Sequence, residues 1–275
     1  MKIVVLERNS VGTDISIEGI TSLGEAVVYP NTVADEVVER IHDAEIIVAN
    51  KVPLNEGTLK DAPNVKLICE FATGFDNVDI AYCRSRGIKV ANIVGYSTDS
   101  VAQHTFALCL YVLEKLKRYD DYVKSGTYAA QSRFSNFDLP FFELAGKTWG
   151  IVGMGNIGRK VAQIAAAFGC RVIFYSVTGK SSCTDYERVD FDTLLAESDV
   201  LSLHCPLSDL TRHLINKEAL KKMKSSAVLV NVARGSVICD EDLYEALVEG
   251  EIAGAGLDVQ ETEPPEENSP LYTMD

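Results

Sequence analysis

The sequence has 275 residues, 47% of them hydrophobic, which is enough for two domains that each bury a core. Its 40 acidic and 26 basic residues give a formal net charge of -14, and no basic run could neutralise the phosphates of a nucleic acid. No 18 consecutive residues are apolar, and residues 1–10 lack the charged leader of an exported protein. We therefore expect a soluble cytoplasmic protein with neither nucleic acid nor membrane as a partner.

The seven cysteines are scattered singly through the chain, and no two of them have C-x-x-C spacing. An odd number without such spacing argues against a disulfide framework and against a zinc site, so no metal is predicted. Isolated cysteines of this kind are most often small buried hydrophobic residues in a reducing compartment.

Short apolar runs alternate with helical stretches along the chain, which is typical of parallel strands joined by helices. Between two such regions lies a long helical pattern, which opens at Ser97-Thr98-Asp99-Ser100, whose side chains can cap free amides, and extends to Gly126. The pattern predicts an α/β fold with two parallel-sheet domains, residues 1–97 and 98–275. The predicted strands are 2–6, 26–29, 45–49, 66–70 and 89–92 before the long helix, and 148–152, 171–175, 200–203, 227–232 and 253–257 after it.

Residues 148–158 read Thr-Trp-Gly-Ile-Val-Gly-Met-Gly-Asn-Ile-Gly, in which Gly153, Gly155 and Gly158 fit the pattern G-x-G-x-x-G. The first glycine permits a tight turn, the second lets a pyrophosphate approach the backbone, and the third lets helix and strand pack closely. An apolar strand precedes the motif and an amphipathic helix, 157–168, follows it. This context favours a dinucleotide site at the helix N-terminus over a plain tight turn.

The second strand of such a site usually ends in an acidic residue that binds the adenosine ribose. Here the strand ends at Ser176, with Lys180 close behind, so no carboxylate would repel a 2′-phosphate. NAD(H) is the expected cofactor, and NADP(H) remains open. The alternative is that Ser176 serves NAD(H) alone and Lys180 is a solvated loop residue.

Two further motifs follow apolar strands: Arg234 after the strand 227–232, and Glu263 after the strand 253–257. Ligands of open α/β sheets bind at the carboxyl ends of the strands. Arginine offers a planar, permanently charged fork for a substrate carboxylate, and a glutamate can orient and charge-stabilise an acid–base histidine. From spacing alone, either residue could equally be an ordinary surface residue.

Several longer motifs resemble the D-isomer-specific 2-hydroxyacid dehydrogenases, and the resemblance extends over almost the whole chain. Those of the second half are 153–158, Ser202-Leu203-His204-Cys205-Pro206-Leu207, Asn231-Val232-Ala233-Arg234-Gly235 and Ala253-Gly254-Ala255-Gly256-Leu257-Asp258-Val259 with Glu263-Pro264. Those of the first half, which resemble the glycerate dehydrogenase (hydroxypyruvate reductase) branch, include Ala72-Thr73-Gly74-Phe75-Asp76 and Ser97-Thr98-Asp99-Ser100-Val101-Ala102-Gln103.

The resemblance implies a flavodoxin-like substrate domain and a Rossmann cofactor domain, assembled as a homodimer. It implies hydride transfer between a nicotinamide cofactor and a small D-2-hydroxy or 2-keto acid, with D-glycerate and hydroxypyruvate as the favoured pair. Arg234 would bind the substrate's carboxylate and carbonyl oxygen, Glu263 would raise the pKa of a catalytic histidine, and Thr73 and Gly74 would offer amides to the carboxylate. The implied cofactor contacts, besides the glycines and Ser176, are Asn156 and Ile157 at the pyrophosphate, Cys205 and Pro206 at the adenosine, and Val232, Ala233 and Asp258 at the nicotinamide.

The sequence departs from the family at its catalytic histidine, which belongs to a Pro-His pair that these 275 residues do not contain. We therefore expect the chain to be truncated before that pair and before the segment that completes the substrate domain. Of the histidines present, His204 matches a second family histidine rather than the acid, while His42 and His213 are expected at the surface. The alternative function is a regulatory or interaction protein that binds a dinucleotide without turnover.

Overall fold

The computed structural model describes residues 1–265 and 267–274. It divides into two compact units, Met1–Tyr96 and Ser97–Asp275. No helix among the described residues is long and apolar enough to cross a membrane. The seven cysteines are free, and four of them are buried.

The first unit is a five-stranded parallel sheet with order β2-β1-β3-β4-β5, which is the flavodoxin-like order. Apolar side chains of alternating strand positions fill both faces, with the larger cluster around Leu6, Ile47 and Ile68. The strands are β1 (Lys2–Val5), β2 (Glu25–Val28), β3 (Ile46–Ala49), β4 (Leu67–Glu70) and β5 (Lys89–Ala91), and the helices are α1 (Glu18–Thr21), α2 (Val37–Ile41), α3 (Glu56–Leu59) and α4 (Ile80–Ser85).

The second unit is a six-stranded parallel sheet with order β11-β10-β9-β6-β7-β8, which is the Rossmann order. Its strands are β6 (Thr148–Val152), β7 (Arg171–Tyr175), β8 (Glu187–Arg188), β9 (Val200–Leu203), β10 (Val228–Asn231) and β11 (Gly254–Leu257). Its helices are α5 (Thr98–Leu113), α6 (Leu116–Lys124), α7 (Thr127–Ala130), α8 (Asn156–Ala167), α9 (Phe191–Glu197), α10 (Lys217–Lys222) and α11 (Asp240–Glu249). The predicted fold class, two parallel α/β sheets, is therefore confirmed.

The core of the second unit lies on both faces of its sheet. On one face α5 and α8 cover a cluster that includes Phe106, Trp149 and Val161. On the other face α9, α10 and α11 cover a cluster that includes Leu201 and Leu229. Strands enclosed on both faces read as continuous apolar runs, which explains why the sequence pattern locates them well.

All ten predicted strands are present, with ends displaced by no more than one residue. The single long helix from residue 97 to Gly126 is wrong, because Lys115 adopts φ 52° and separates α5 from α6. The expected N-terminal cap is also wrong at Ser97, whose side chain accepts no amide hydrogen bond within the described residues.

Two buried glutamates lie at the carboxyl edge of the first unit's sheet. Glu7, just after β1, accepts hydrogen bonds at one carboxylate oxygen from the amides of Asn50, Lys51 and Val52, at 2.7, 2.8 and 3.2 Å. Because β1 and β3 flank the point where the strand order reverses, this carboxylate fixes the loop at the place where flavodoxin-like sheets bind ligands.

Glu70 ends β4 and is only 2% exposed. Its Oε1 accepts a hydrogen bond from Asn77 Nδ2 at 3.3 Å, whereas its Oε2 is buried without a hydrogen-bond partner among the described residues. Burial raises the pKa of this carboxyl to about 7, and the nearby Glu7 carboxylate acts in the same direction against the opposing Asn77 hydrogen bond. Glu70 is therefore partly protonated at neutral pH.

Replacing Glu70 by Gln should flatten the pH dependence of stability. In the folded chain Glu70 keeps a proton that the unfolded chain releases near pH 4.5, so its contribution is full below that pH and is lost as pH rises through about 7. The loss is at most about 3 kcal/mol. We expect urea unfolding of the wild type to show declining stability from pH 5 to pH 8, and Glu70→Gln to lose much of that slope. Glu39→Gln, at an exposed site of the same unit, is the control; equal slopes for Glu70→Gln and wild type would contradict the assignment.

Candidate active site

The glycine motif forms the turn between β6 and α8. Gly153 has φ 93°, and a Cβ there would lie 2.8 Å from the carbonyl oxygen of His204 and 2.9 Å from the amide nitrogen of Cys205. A Cβ on Gly158 would lie 2.1 Å from the carbonyl oxygen of Gly153. The chain can therefore pass between strand and helix only because both side chains are absent.

Gly155 differs from these two glycines because a Cβ there would meet no atom within 4 Å. It caps the N-terminus of α8, so the amides of the first turn, which include those of Asn156 and Ile157, have no partner inside the helix. An open backbone approach to the positive end of a 12-residue helix fits a pyrophosphate.

His204 follows β9, is half-buried, and is hydrogen-bonded to buried side chains next to the glycine turn. Its Nε2 lies 3.0 Å from Ser202 Oγ, which also accepts a hydrogen bond from Trp149 Nε1 at 2.9 Å. Burial lowers the pKa of His204 to about 3, so the imidazole is neutral at physiological pH. Cys205 is buried and Pro206 is exposed, and both continue the turn that packs on Gly153.

Ser176 directly follows β7 and is 7% exposed. Its Oγ accepts a hydrogen bond from the amide of Ser181 at 3.3 Å, which closes a short loop. Three basic residues border this loop: Lys180 lies within it, Arg188 donates to the carbonyl oxygen of Gly179, and Arg159 of α8 lies 3.4 Å from Ser182 Oγ.

The turn after β10 carries Arg234 and is fixed by Asn231, which is only 1% exposed. Asn231 Nδ2 donates to the carbonyl oxygen of Arg234 at 2.9 Å, and Asn231 Oδ1 accepts from the amide of Ala233 at 3.0 Å. Val232 is buried beside it, and Arg234 itself is half-buried. Its Nη1 donates to the carbonyl oxygen of Ala233 at 2.8 Å. The guanidinium thus lies at the carboxyl edge of the sheet, on a turn that the Asn231 hydrogen bonds hold in place.

The segment after β11 packs directly on that turn. A Cβ on Gly235 would lie 1.7 Å from the carbonyl oxygen of Gln260 and 2.4 Å from the amide nitrogen of Glu261, so the two backbones are in contact. Glu263, two residues further on, is exposed, and its Oε1 lies 3.4 Å from the amide nitrogen of Gln260. The turn after β10 and the segment after β11 are therefore in direct contact at Gly235 and Gln260.

Asp258, at the start of the same segment, is half-exposed and pairs with His104 of α5, with 3.2 Å between Oδ1 and Nε2.

In the first unit, Thr73 follows β4 and donates from Oγ1 to the carbonyl oxygen of Ile93 at 2.7 Å. Asn92 Nδ2 donates to the carbonyl oxygen of Thr73, also at 2.7 Å, so the backbone that leads into Gly74 is anchored to the strand-end loop after β5.

Four residues near these turns carry contacts that the sequence patterns did not reveal: Arg159, Asn231, His104 and His213. His213, expected at the surface, has its Nε2 2.5 Å from Glu261 Oε1. Only Asn231 has a signal in the sequence, because an amide at the end of an apolar strand often satisfies a turn that follows. The other three depend on contacts distant in sequence.

The comparisons with known proteins agree with this geometry. The family model described as D-isomer specific 2-hydroxyacid dehydrogenase, NAD binding domain, matches residues 106–275. The chain belongs to this family, and its second unit contains the family's NAD-binding domain.

Individual relatives are similar over nearly the whole chain. A hydroxypyruvate reductase of Blautia hydrogenotrophica is 38% identical, and the match covers 98% of this chain and 86% of the relative. A glycerate dehydrogenase of Methylorubrum extorquens is also 38% identical, over 100% of this chain and 85% of the relative. The crystal structure of a D-lactate dehydrogenase from Aquifex aeolicus, complexed with NAD and lactic acid, matches with a TM-score of 0.86 at 34% identity, covering 96% of this chain and 78% of that one.

Alanine at Gly158 should impair folding, whereas alanine at Gly155 should impair NADH binding. Gly158→Ala forces a Cβ against backbone and should lower stability by about 1–3 kcal/mol. Gly155→Ala finds free space and should fold normally, but its methyl group would stand in the approach path of a pyrophosphate and weaken NADH binding about tenfold or more.

Thermal unfolding and NADH fluorescence titration separate the two effects. Gly19→Ala in α1, where a Cβ also meets no atom within 4 Å, is the control. Wild-type NADH affinity in Gly155→Ala would rule out pyrophosphate binding at this turn.

Proposed function

We propose that this protein reduces small 2-keto acids to D-2-hydroxy acids with a nicotinamide cofactor, and that hydroxypyruvate and D-glycerate are its preferred pair. The observation that carries the proposal is the packing of the Arg234 turn on the segment from Asp258 to Glu263, at the same sheet edge as the glycine turn. The names of the relatives from Blautia hydrogenotrophica and Methylorubrum extorquens support this substrate pair. When bound, the cofactor supplies or accepts a hydride at the substrate's C2.

Arg234 is proposed to bind the substrate's carboxylate and carbonyl oxygen. A guanidinium presents two parallel N–H donors to one carboxylate and keeps its charge at any physiological pH. The hydrogen bonds that Asn231 makes to the turn hold its backbone, so the fork is positioned before substrate arrives. For Thr73 and Gly74 of the first unit, the role of offering backbone amides to a substrate carboxylate stays a prediction.

Glu263 is proposed to orient an acid–base imidazole and to raise its pKa, because a nearby carboxylate favours the charged form of histidine. His204 does not suit the role of proton donor. It is half-buried, its pKa is lowered to about 3, and its Nε2 lies 3.0 Å from Ser202 Oγ. The proposed role of His204 is instead to support the turn that carries Cys205 and Pro206 at the adenosine side.

The reductase proposal is tested with protein expressed from its natural gene, by following oxidation of NADH or NADPH with hydroxypyruvate, glyoxylate and pyruvate. Arg234→Lys should lower kcat/KM about 100-fold or more, equivalent to about 3 kcal/mol, because an ammonium cannot reproduce the fork. The Kd for NADH should stay within about twofold of the wild-type value.

Arg118→Lys, an exposed substitution in the same unit, is the matched control and should behave as wild type. Wild-type turnover in Arg234→Lys would remove Arg234 from the site. Tight dinucleotide binding by the natural protein, with no oxidation of either cofactor by any of the three acids, would instead favour a regulatory dinucleotide-binding protein.

We further propose that NADP(H) is accepted as well as NAD(H). The support is the neutral Ser176 at the end of β7 together with the three basic residues, Arg159, Lys180 and Arg188, that border its loop. A 2′-phosphate placed there would meet positive charge and no carboxylate from the residue that usually excludes it.

Ser176→Asp should therefore disfavour NADPH. We expect the KM for NADPH to rise about tenfold or more, equivalent to about 1.4 kcal/mol, with a much smaller change for NADH. Asparagine has nearly the same shape as aspartate but no charge. Ser176→Asn therefore separates repulsion of the 2′-phosphate from altered packing at this buried site. Equal use of both cofactors by Ser176→Asp would refute the assignment.

The homodimer implied by the family resemblance stays a prediction. Four aromatic side chains in α7 and the loop that follows it are exposed, Phe134 by 90% and Phe137 by 76%, together with Tyr128 and Phe141. Aromatic surface of this extent is typical of interaction sites. A solution mass of one chain, measured by light scattering, would contradict the dimer. A cytoplasmic location likewise stays a prediction.

A further inference from the structure

Three titratable residues outside the proposed catalytic groups contact one another near Gly235. They are His213, in the loop before α10, Asp240, the first residue of α11, and Glu261, in the segment after β11. Together they are called the Glu261 clasp. Each comes from a different part of the second unit's chain, so their contacts connect three separate segments.

His213 is held in an uncommon backbone conformation that aims its side chain at Glu261. Its φ is 49°, in the left-handed region that few residues other than glycine, asparagine and aspartate adopt. Its amide donates to the carbonyl oxygen of Ser236 at 2.8 Å, next to Gly235. Its Nε2 lies 2.5 Å from Glu261 Oε1, and the two side chains are only 40% and 31% exposed.

Asp240 completes the clasp through reciprocal backbone hydrogen bonds. The amide of Glu261 lies 3.2 Å from Asp240 Oδ2, and the amide of Asp240 lies 3.5 Å from Glu261 Oε2. The two carboxylates also lie at the N-terminus of α11, where the helix dipole favours negative charge. Burial raises the pKa of Asp240, and the Glu261 charge adds to this shift, whereas the hydrogen bond from the Glu261 backbone amide and the nearby His213 oppose it.

The clasp fixes the backbone segment that presents Glu263. Residues 260 and 261 press on Gly235 without room for a Cβ, and Gly235 follows Arg234 directly. Movement of Glu261 would therefore displace Glu263, two residues further along the chain. It would also remove the backbone contact that holds the Arg234 turn. Tyr272 adds a weaker contact, with 3.3 Å between its hydroxyl and Gln260 Oε1.

We propose that His213 and Glu261 are positioning residues, which hold the segment carrying Asp258 and Glu263 against the Arg234 turn. The proposal rests on the reductase function proposed above for Arg234 and Glu263. Neither His213 nor Glu261 is assigned a contact with substrate. Their contribution is geometric, and a displacement of about 1 Å at reacting groups can lower turnover about 100-fold.

The test uses His213→Asn, because asparagine accepts the left-handed backbone but is too short to reach Glu261. Hydrogen exchange followed by mass spectrometry should be about tenfold faster or more at the amides of Asp240 and Glu261, because the local structure opens more often. In the protein from its natural gene, kcat should fall about 10- to 100-fold while NADH affinity stays within about twofold. Glu261→Gln keeps an acceptor for His213 and should restore most of the turnover that Glu261→Ala loses.

His42→Asn, at an exposed position in the first unit, is the matched control and should change none of these readouts. Unchanged hydrogen exchange in His213→Asn would overturn the clasp. Faster exchange with unchanged kcat would overturn its positioning role. A uniform loss of stability and of NADH affinity would also contradict the proposal, because it would indicate a general structural role. Absence of reductase activity in the wild type would contradict the proposed function, and the exchange result would still decide whether the clasp holds the segment.

Discussion

Direct contact between backbones, without a side chain in between, is the constraint on which the candidate site depends. Gly153 lies against the chain at His204 and Cys205, Gly158 lies against Gly153, and Gly235 lies against Gln260. The first two contacts join the end of β6 to the end of β9 and to the start of α8. The third joins the turns after β10 and β11. The strand ends of the Rossmann sheet are thereby assembled into one edge, on which dinucleotide and substrate groups can act together.

The charges of the site contrast with those of the molecule. A chain with net charge -14 places Arg234 on a turn at the sheet edge and borders the loop after β7 with further basic residues. A carboxylate or phosphate ligand at these places would meet local positive charge within an acidic protein, which favours its accumulation there. Neutral His204 beneath the glycine turn adds no charge there, since burial keeps its pKa near 3.

The sequence predicts the sheets well because their strands are buried on both faces and appear as uninterrupted apolar runs. It predicts the glycine turn because Gly153 and Gly158 occupy positions where a Cβ would meet backbone atoms. It does not reveal the break at Lys115, since no glycine or proline marks it, nor the edge strand β8, whose two residues are exposed and charged. The contacts of Arg159, His104 and His213 also escape sequence patterns, because each joins segments that are distant along the chain.

The proposed reductase function requires hydride to pass directly from a nicotinamide to C2 of a 2-keto acid. Protein from the natural gene can be given hydroxypyruvate with NADH, or NADPH, that carries deuterium at both C4 positions of the nicotinamide, and the position of the transferred deuterium can be read by mass spectrometry or NMR. Direct transfer delivers one deuterium to C2 of D-glycerate and releases none to water. Cofactor oxidation that leaves C2 unlabelled, or no glycerate at all, would contradict it.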